Sequence, residues 1–134
     1  MFSPATPVPA EKSTRRRAVV VDDDAGLLRL IRAWLEAMAF EVETFDQFEP
    51  AKQRIGGATV DVLVTDVRLG AFNGLQLVVM TKASHPDVIA IVLTGFDDPV
   101  LRREALDAGA VFLAKPLRGE QLQDVVGIYS TLVS

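Results

Sequence analysis

From position 18 onward, short apolar runs alternate with amphipathic stretches of helix length. Residues 18–21, Ala-Val-Val-Val, are apolar throughout. That is the pattern of a strand covered on both faces. Residues 25–39 carry Leu27, Leu30, Ile31, Trp34, Leu35 and Met38 at i, i+3, i+4, i+7 spacing, with Arg29, Arg32 and Glu36 opposite. This predicts a helix with one buried stripe and places Trp34 in the core. Residues 41–45 predict a shorter, more polar strand at an edge. Asp46 with Glu49 has the spacing of a capping box, opening a helix that ends at Gly56-Gly57. Strands are expected over 60–65, 88–93 and 110–114, and helices over 73–84, 98–108 and 118–133. Five strand–helix repeats in strict alternation imply an α/β fold with a doubly wound parallel sheet and right-handed crossovers. Ligands in such sheets bind beyond the carboxyl ends of the strands.

Composition narrows the chemistry. Of the 134 residues, 49% are hydrophobic and 24% charged, as in a globular domain. Residues 1–17 hold Pro4, Pro7 and Pro9 and read as a flexible tail, leaving 18–134 as one folded domain. With no cysteine there are no disulfides or thiolate sites, and a reducing, cytoplasmic location is expected. His85 is the only histidine, so one chain cannot build a multi-histidine metal site. No stretch approaches the ~18 apolar residues of a membrane span. The first ten residues have no basic start or apolar run, so no secretory signal is expected. The tail carries four of the 14 basic residues and one of the 18 acidic ones, which leaves the body with 10 basic against 17 acidic residues, net −7. So acidic a body is not expected to bind nucleic acid directly. Arg15, Arg16 and Arg17 are expected to be a solvated charge run before the first strand.

The chemistry collects where the strands end. The first ends in Asp22-Asp23-Asp24, the third in Thr65-Asp66, the fourth in Thr94-Gly95 and the fifth in Lys115-Pro116. Two carboxylates ~4 Å apart repel by roughly 4 kcal/mol at an effective dielectric of ~20, so such a cluster calls for a cation. Oxygen ligands without histidine or cysteine point to magnesium, with manganese as a substitute. A carboxylate nucleophile, a divalent cation, a hydroxyl and an ammonium together suit phosphoryl transfer. Taken singly, each residue also has a plain role: Asp24 is expected to cap the first helix.

This constellation resembles the receiver domain of two-component response regulators over about residues 17–134. The shared elements are Asp22 and Asp23 in Val-Val-Val-Asp-Asp-Asp, Asp66 in Val-Leu-Val-Thr-Asp-Val-Arg-Leu, Asn73-Gly74, Thr94 in Val-Leu-Thr-Gly, and Lys115-Pro116. The resemblance implies a five-stranded sheet of order 2-1-3-4-5, flavodoxin-like. It makes Asp66 the phosphoacceptor, supplied from phosphohistidine on a sensor histidine kinase or a histidine phosphotransfer protein. Asp22, Asp23, Asp66 and the backbone carbonyl of Arg68 would hold the metal, with Asp22 acting through water. Thr94 and Lys115 would meet the phosphoryl oxygens, and Phe112 would be the switch aromatic. Arg68 and Phe96 would flank the approach of hydrolytic water and tune the lifetime of the phosphorylated state. The resemblance also implies a cis Lys115-Pro116 bond. Gly70 stands where the family commonly has proline, so the loop after the acceptor is expected to be more mobile.

Such a protein is a phosphoacceptor that promotes its own phosphorylation and dephosphorylation, not a conventional enzyme. Two other readings compete with it. A haloacid-dehalogenase-type phosphatase would use Asp22-x-Asp24, but Ala25-Gly26 departs from its motif. A non-phosphorylated interaction module would not need Asp66, Thr94 and Lys115 together. On a helical wheel the last helix spreads Leu122, Val125, Val126, Ile128, Tyr129, Leu132 and Val133 over a wide arc. That breadth suggests a homodimer or effector contact on the last-helix face.

Overall fold

The computed structural model describes residues 15–133 apart from position 97, and the side chains of 128–133 are outside the description. The chain runs β1 (Arg17–Val21), α1 (Ala25–Glu36), β2 (Glu41–Phe45), α2 (Phe48–Ile55), β3 (Val62–Asp66), β4 (Arg68–Leu69), β5 (Phe72–Asn73), α3 (Leu75–Ser84), β6 (Ile89–Thr94), α4 (Pro99–Asp107), β7 (Val111–Ala114) and α5 (Gly119–Val133). The main sheet has order β2-β1-β3-β6-β7 and every pair in it is parallel. Strands β4 and β5 form a separate antiparallel ribbon. Taken without that ribbon, the sheet strands run 2-1-3-4-5.

Every residue of β3 and β6 is buried, and in β1 all but Arg17. These are the continuous apolar runs of the sequence, and they occupy the middle of the sheet because both their faces need cover. Alternate residues feed two cores. Val19, Val21, Leu63, Ala90, Val92 and Phe112 pack with α2, α3 and α4. Ala18, Val20, Val62, Val64, Ile89, Ile91 and Leu93 pack with α1 and α5.

Several boundaries differ from expectation. Strand β1 starts at Arg17, whose backbone N–H donates to Asp61 Oδ2 at 2.8 Å and whose side chain pairs with Glu41 at 3.8 Å. Of the rest of the tail, residues 1–14 lie outside the described residues. Helix α1 ends at Glu36, and its buried row is Leu28, Ile31 and Leu35. Leu30 is turned to solvent at 52% exposure, because Leu28 takes the place in the stripe that it was expected to fill. Trp34 is half-buried against the core, its indole so close to Gly119 that a Cβ there would sit 3.0 Å from Nε1. Helix α2 starts after Gln47, with no side-chain cap, so Asp46 does not open it as a capping box would. Helix α3 starts at Leu75, not Asn73. Asn73 Oδ1 instead accepts from the Leu75 N–H at 2.8 Å and satisfies one of the helix's free donors.

The loop after β3 is not open. Gly70 and Ala71 turn β4 into β5, with Gly70 at φ 64°. A glycine with positive φ at the first position of a two-residue turn is type II′ chemistry, which proline, fixed near −65°, cannot supply. Gly70→Ala is expected to cost about 1 kcal/mol, since left-handed backbone is strained for residues with a Cβ. A urea denaturation midpoint checks this.

On α5, Leu122 and Val126 are buried and Val125 is half-buried against the core. The other members of the apolar arc, Ile128, Tyr129, Leu132 and Val133, have side chains outside the described residues. Among the described residues, no helix is long and apolar enough to cross a membrane.

Candidate functional site

The carboxyl ends of β1, β3, β6 and β7 bring the expected residues to one rim. Strand β1 leads directly into Asp22, whose N–H is held by the Phe45 carbonyl of β2 at 3.0 Å. Asp22 is fully buried, and its Oδ1 accepts from the Asp24 N–H at 2.9 Å. Asp23 is exposed. Asp24 is the N-cap of α1, accepting from the Gly26 and Leu27 N–H groups, as expected. That cap takes up the Oδ1 atom of Asp24.

Asp66 ends β3 and is 8% exposed. The Lys115 Nζ lies 3.0 Å from Asp22 Oδ2 and 3.2 Å from Asp66 Oδ2. One ammonium thus spans carboxylates from two strands. The Lys115 backbone N–H donates to the Thr94 carbonyl at 2.8 Å, which ties β7 to the end of β6. The Lys115-Pro116 bond is cis, as expected.

Burial pushes the Asp22 carboxyl above the ordinary carboxylate range, and the charge of Asp66 adds to the rise. The Asp24 N–H and Lys115 only partly oppose this. Burial also works against the charge on Lys115, but Asp22, and then Asp66, outweigh it and raise its pKa.

Thr94 is 3% exposed. Its hydroxyl closes a small turn, accepting from the Phe96 N–H at 3.0 Å and donating to the Phe96 carbonyl at 3.1 Å. Phe96 is 59% exposed, and its ring centroid lies 4.8 Å from the Arg68 guanidinium carbon. The Arg68 N–H points at Asp66 Oδ1, 3.4 Å away. Phe112 is buried in the core, with the Arg102 guanidinium 4.7 Å from its ring centroid. His85 caps the C-terminus of α3 and belongs to no part of the rim.

Two contributors to the site are not legible in the sequence as site residues. Thr65 is fully buried and donates to the Asp66 carbonyl at 3.0 Å. Gly74, by sequence a structural turn, packs so closely that a Cβ would overlap the Asp66 carbonyl oxygen and reach within 2.7 Å of Thr65 Oγ1. The signal for Gly74 is a glycine eight residues after the candidate nucleophile, at a helix start. For Thr65, next to last in β3, the signal is its place beside Asp66 at a strand end.

A family model described as the response regulator receiver domain matches residues 18–127. The chain belongs to the response regulator receiver family. This receiver is similar to the transcriptional regulatory protein FixJ of Bradyrhizobium diazoefficiens, at 30% identity over 115 residues, which covers 85% of this chain and 56% of FixJ. It is also similar to the cyclic di-GMP phosphodiesterase response regulator RpfG of Xanthomonas campestris, at 32% identity over 110 residues, covering 78% of this chain and 29% of RpfG. The receiver therefore spans only part of these relatives. Among solved structures, the BeF3-activated DrrB receiver domain matches with TM-score 0.78 and 27% identity, covering 87% of this chain and 98% of that one. The beryllofluoride-activated NtrC4 receiver domain dimer matches with TM-score 0.76 and 27% identity, covering 86% and 97%.

Receivers generally bind magnesium at an acidic aspartate cluster, and this one has such a cluster. Oxygens of Asp22, Asp23 and Asp66 all lie within 4.8 Å of one another. The donor set suits a hard cation, being all oxygen. Asp22 Oδ2 is buried and, although beside Lys115, has no aligned hydrogen bond. The Lys115 ammonium offsets part of the desolvation cost of that oxygen, and a bound cation would offset more of it.

The electrostatics make a prediction about stability. Asp66 faces two like charges, Asp22 and Asp23, and one opposite charge, Lys115, which leaves a net repulsion of about 1–4 kcal/mol between the water and ε ~20 limits. Asp66→Asn is therefore expected to raise the melting temperature of metal-free protein. Magnesium at ten times its Kd should stabilise wild type by ~1.4 kcal/mol. Melting curves with and without magnesium check both, and wild-type melting that ignores magnesium would remove the metal site.

Proposed function

We propose that this receiver takes a phosphoryl group from phosphohistidine onto Asp66 and changes conformation to control an output. The donor would be a sensor histidine kinase or a histidine phosphotransfer protein. The observation that carries this reading is the shared ammonium of Lys115 between Asp22 and Asp66, within a cluster of three carboxylates.

In the transfer, an Asp66 carboxylate oxygen forms the new bond to phosphorus. The P–N bond to the donor imidazole breaks with its electron pair left on that nitrogen, and the proton carried by the other ring nitrogen makes the leaving imidazole neutral. Lys115 stands where it can follow one phosphoryl oxygen, and the Thr94 hydroxyl can donate to another. Asp22, Asp23, Asp66 and the Arg68 carbonyl would hold magnesium, or manganese in its place. Bound there, the cation supplies positive charge that screens the carboxylates and the incoming phosphoryl group. Phe112, packed against the core, would respond as a switch with two packings. Domain limits of 18–134 and a cytoplasmic location fit this role. Dimer or effector contacts would use the α5 face. Output activities such as those named for FixJ and RpfG belong to those proteins.

Acetyl phosphate with magnesium is the direct test. A receiver gains one labile acyl phosphate per chain. Steady release of inorganic phosphate with many turnovers would indicate a phosphatase, and no reaction would indicate an interaction module.

Arg68 and Phe96 also bear on how long the modification lasts. Neither can act as a general base toward water. Arg68, paired with the phosphoryl group, would screen it, and the bulky apolar side chain of Phe96 would hinder in-line approach of water. Phe96→Ala and Arg68→Ala are expected to lose the phosphoryl group faster than wild type after the donor is removed. Unchanged or slower loss in both would reject the shield.

A further inference from the structure

One residue, Phe96, holds two of the groups that an anion on Asp66 would draw in, the third, Lys115, being already beside it. Its backbone occupies the Thr94 hydroxyl in both directions, at 3.0 and 3.1 Å. Its ring lies under the Arg68 guanidinium at 4.8 Å. Arg68 begins beside the acceptor, its N–H 3.4 Å from Asp66 Oδ1. Core packing does not account for the placement of the ring, because Phe96 is 59% exposed.

A phosphoryl group on Asp66 competes for these same partners. Guanidinium pairs with phosphoryl oxygens through short, charge-assisted hydrogen bonds that exceed a stacking contact in strength. A hydroxyl donated to a phosphoryl oxygen can no longer be donated to the Phe96 carbonyl. Each new bond is made by giving up one to Phe96.

We propose that Phe96 is a latch, holding Arg68 by its ring and Thr94 by its backbone in the resting state, so that phosphoryl arrival at Asp66 releases the segment leading into α4. The proposal rests on Asp66 being the acceptor. The release has a short path to travel, since α4 is capped by Asp98, two residues beyond Phe96, through a bond from the Val100 N–H at 2.8 Å. Arg68 is then a positioning residue in the resting state and a phosphoryl partner in the activated one. A ligand shifts such an equilibrium only by its differential affinity for the two states, so weakening the resting contacts must strengthen binding of a phosphoryl mimic.

The test titrates beryllofluoride with magnesium into wild type, Phe96→Ala, Arg68→Gln and the double variant, followed by amide resonances around the site. Alanine keeps the N–H and carbonyl that engage Thr94, so it removes the ring alone. Phe96→Ala is expected to bind the mimic roughly two- to fivefold more tightly, the equilibrium equivalent of one exposed cation–π contact. In the Arg68→Gln background the same change is expected to give no tightening. Without mimic, the Thr94 methyl resonance should show more rotamer averaging in Phe96→Ala and in Arg68→Gln than in wild type. Equal or weaker binding by Phe96→Ala, or tightening that persists undiminished in the Arg68→Gln background, overturns the latch while leaving the acceptor in place. Wild type that binds no mimic overturns the acceptor reading and the latch with it.

Discussion

Asp66→Ala is expected to abolish phosphoryl uptake from acetyl phosphate while leaving the fold intact. Three carboxylates share the rim, and their surroundings separate them. Asp22 has no exposed surface and already engages the Asp24 N–H and Lys115, so no in-line approach to it is open. Asp23 is exposed, and Lys115 pairs with Asp22 and Asp66. Asp66 alone combines partial exposure with Lys115 at 3.2 Å and a position at the end of β3, next to the strand that carries Thr94. In the reaction its carboxylate oxygen bonds to phosphorus, the bridging P–O bond breaks, and acetate leaves with the electron pair. Alanine removes the nucleophile and one of three like charges, so folding is not expected to suffer. Intact mass spectrometry after incubation with acetyl phosphate and magnesium should show one added phosphoryl group on wild type and none on the variant. Labelling that survives would move the acceptor elsewhere.

Gly74→Ala is expected to damage both stability and the site. The backbone of Gly74, at φ −60°, is open to any residue, so the demand for glycine is one of space, not of conformation. Its N–H donates to the Val67 carbonyl at 2.7 Å, which draws the start of α3 onto the chain just after Asp66. A methyl there would overlap the Asp66 carbonyl oxygen. That oxygen is backbone, bonded by Thr65 Oγ1 at 3.0 Å, and cannot rotate away as a side chain would. Overpacking in a filled site costs about 1–3 kcal/mol, and a rigid neighbour puts this case at about 3 kcal/mol. The relaxation that does occur must move Asp66 or α3, so the rate of phosphoryl uptake should fall as well. Urea unfolding with a parallel uptake assay checks the pair of effects. A variant as stable and as reactive as wild type would mean that α3 yields without disturbing β3.

Much of this architecture is legible in the chain because the signals are local. The apolar runs at 18–21 and 88–93 have no polar position to show to solvent, so they can only be central strands. Placing Asp22, Asp66, Thr94 and Lys115 at strand ends follows from counting along those runs. Asp24 as a cap follows from side-chain chemistry one residue before a helix. The errors also have local causes. Periodicity puts Leu30 in the buried stripe because hydrophobicity alone cannot tell which of two adjacent rows a helix turns inward, and the packing of Leu28, Ile31 and Leu35 decides it. Asp46 and Glu49 have the spacing of a capping box, yet Gln47, extended at φ −137° and ψ 153°, is the N-cap, and α2 starts one residue later.

By itself, then, the sequence determined the alternation of elements, the sheet class and the residue types on the rim, since each depends on periodicity or on the chemistry of near neighbours. Only the tertiary structure decided what those residues do to one another. Lys115 and Asp66 are 49 positions apart, and their 3.2 Å contact exists because β3 and β7 flank β6 in one parallel sheet. The same holds for Arg68 over Phe96 and for Gly74 against the Asp66 carbonyl. Such contacts arise from the register and crossover of whole strands, and the positions of whole strands are set by the burial of both cores at once.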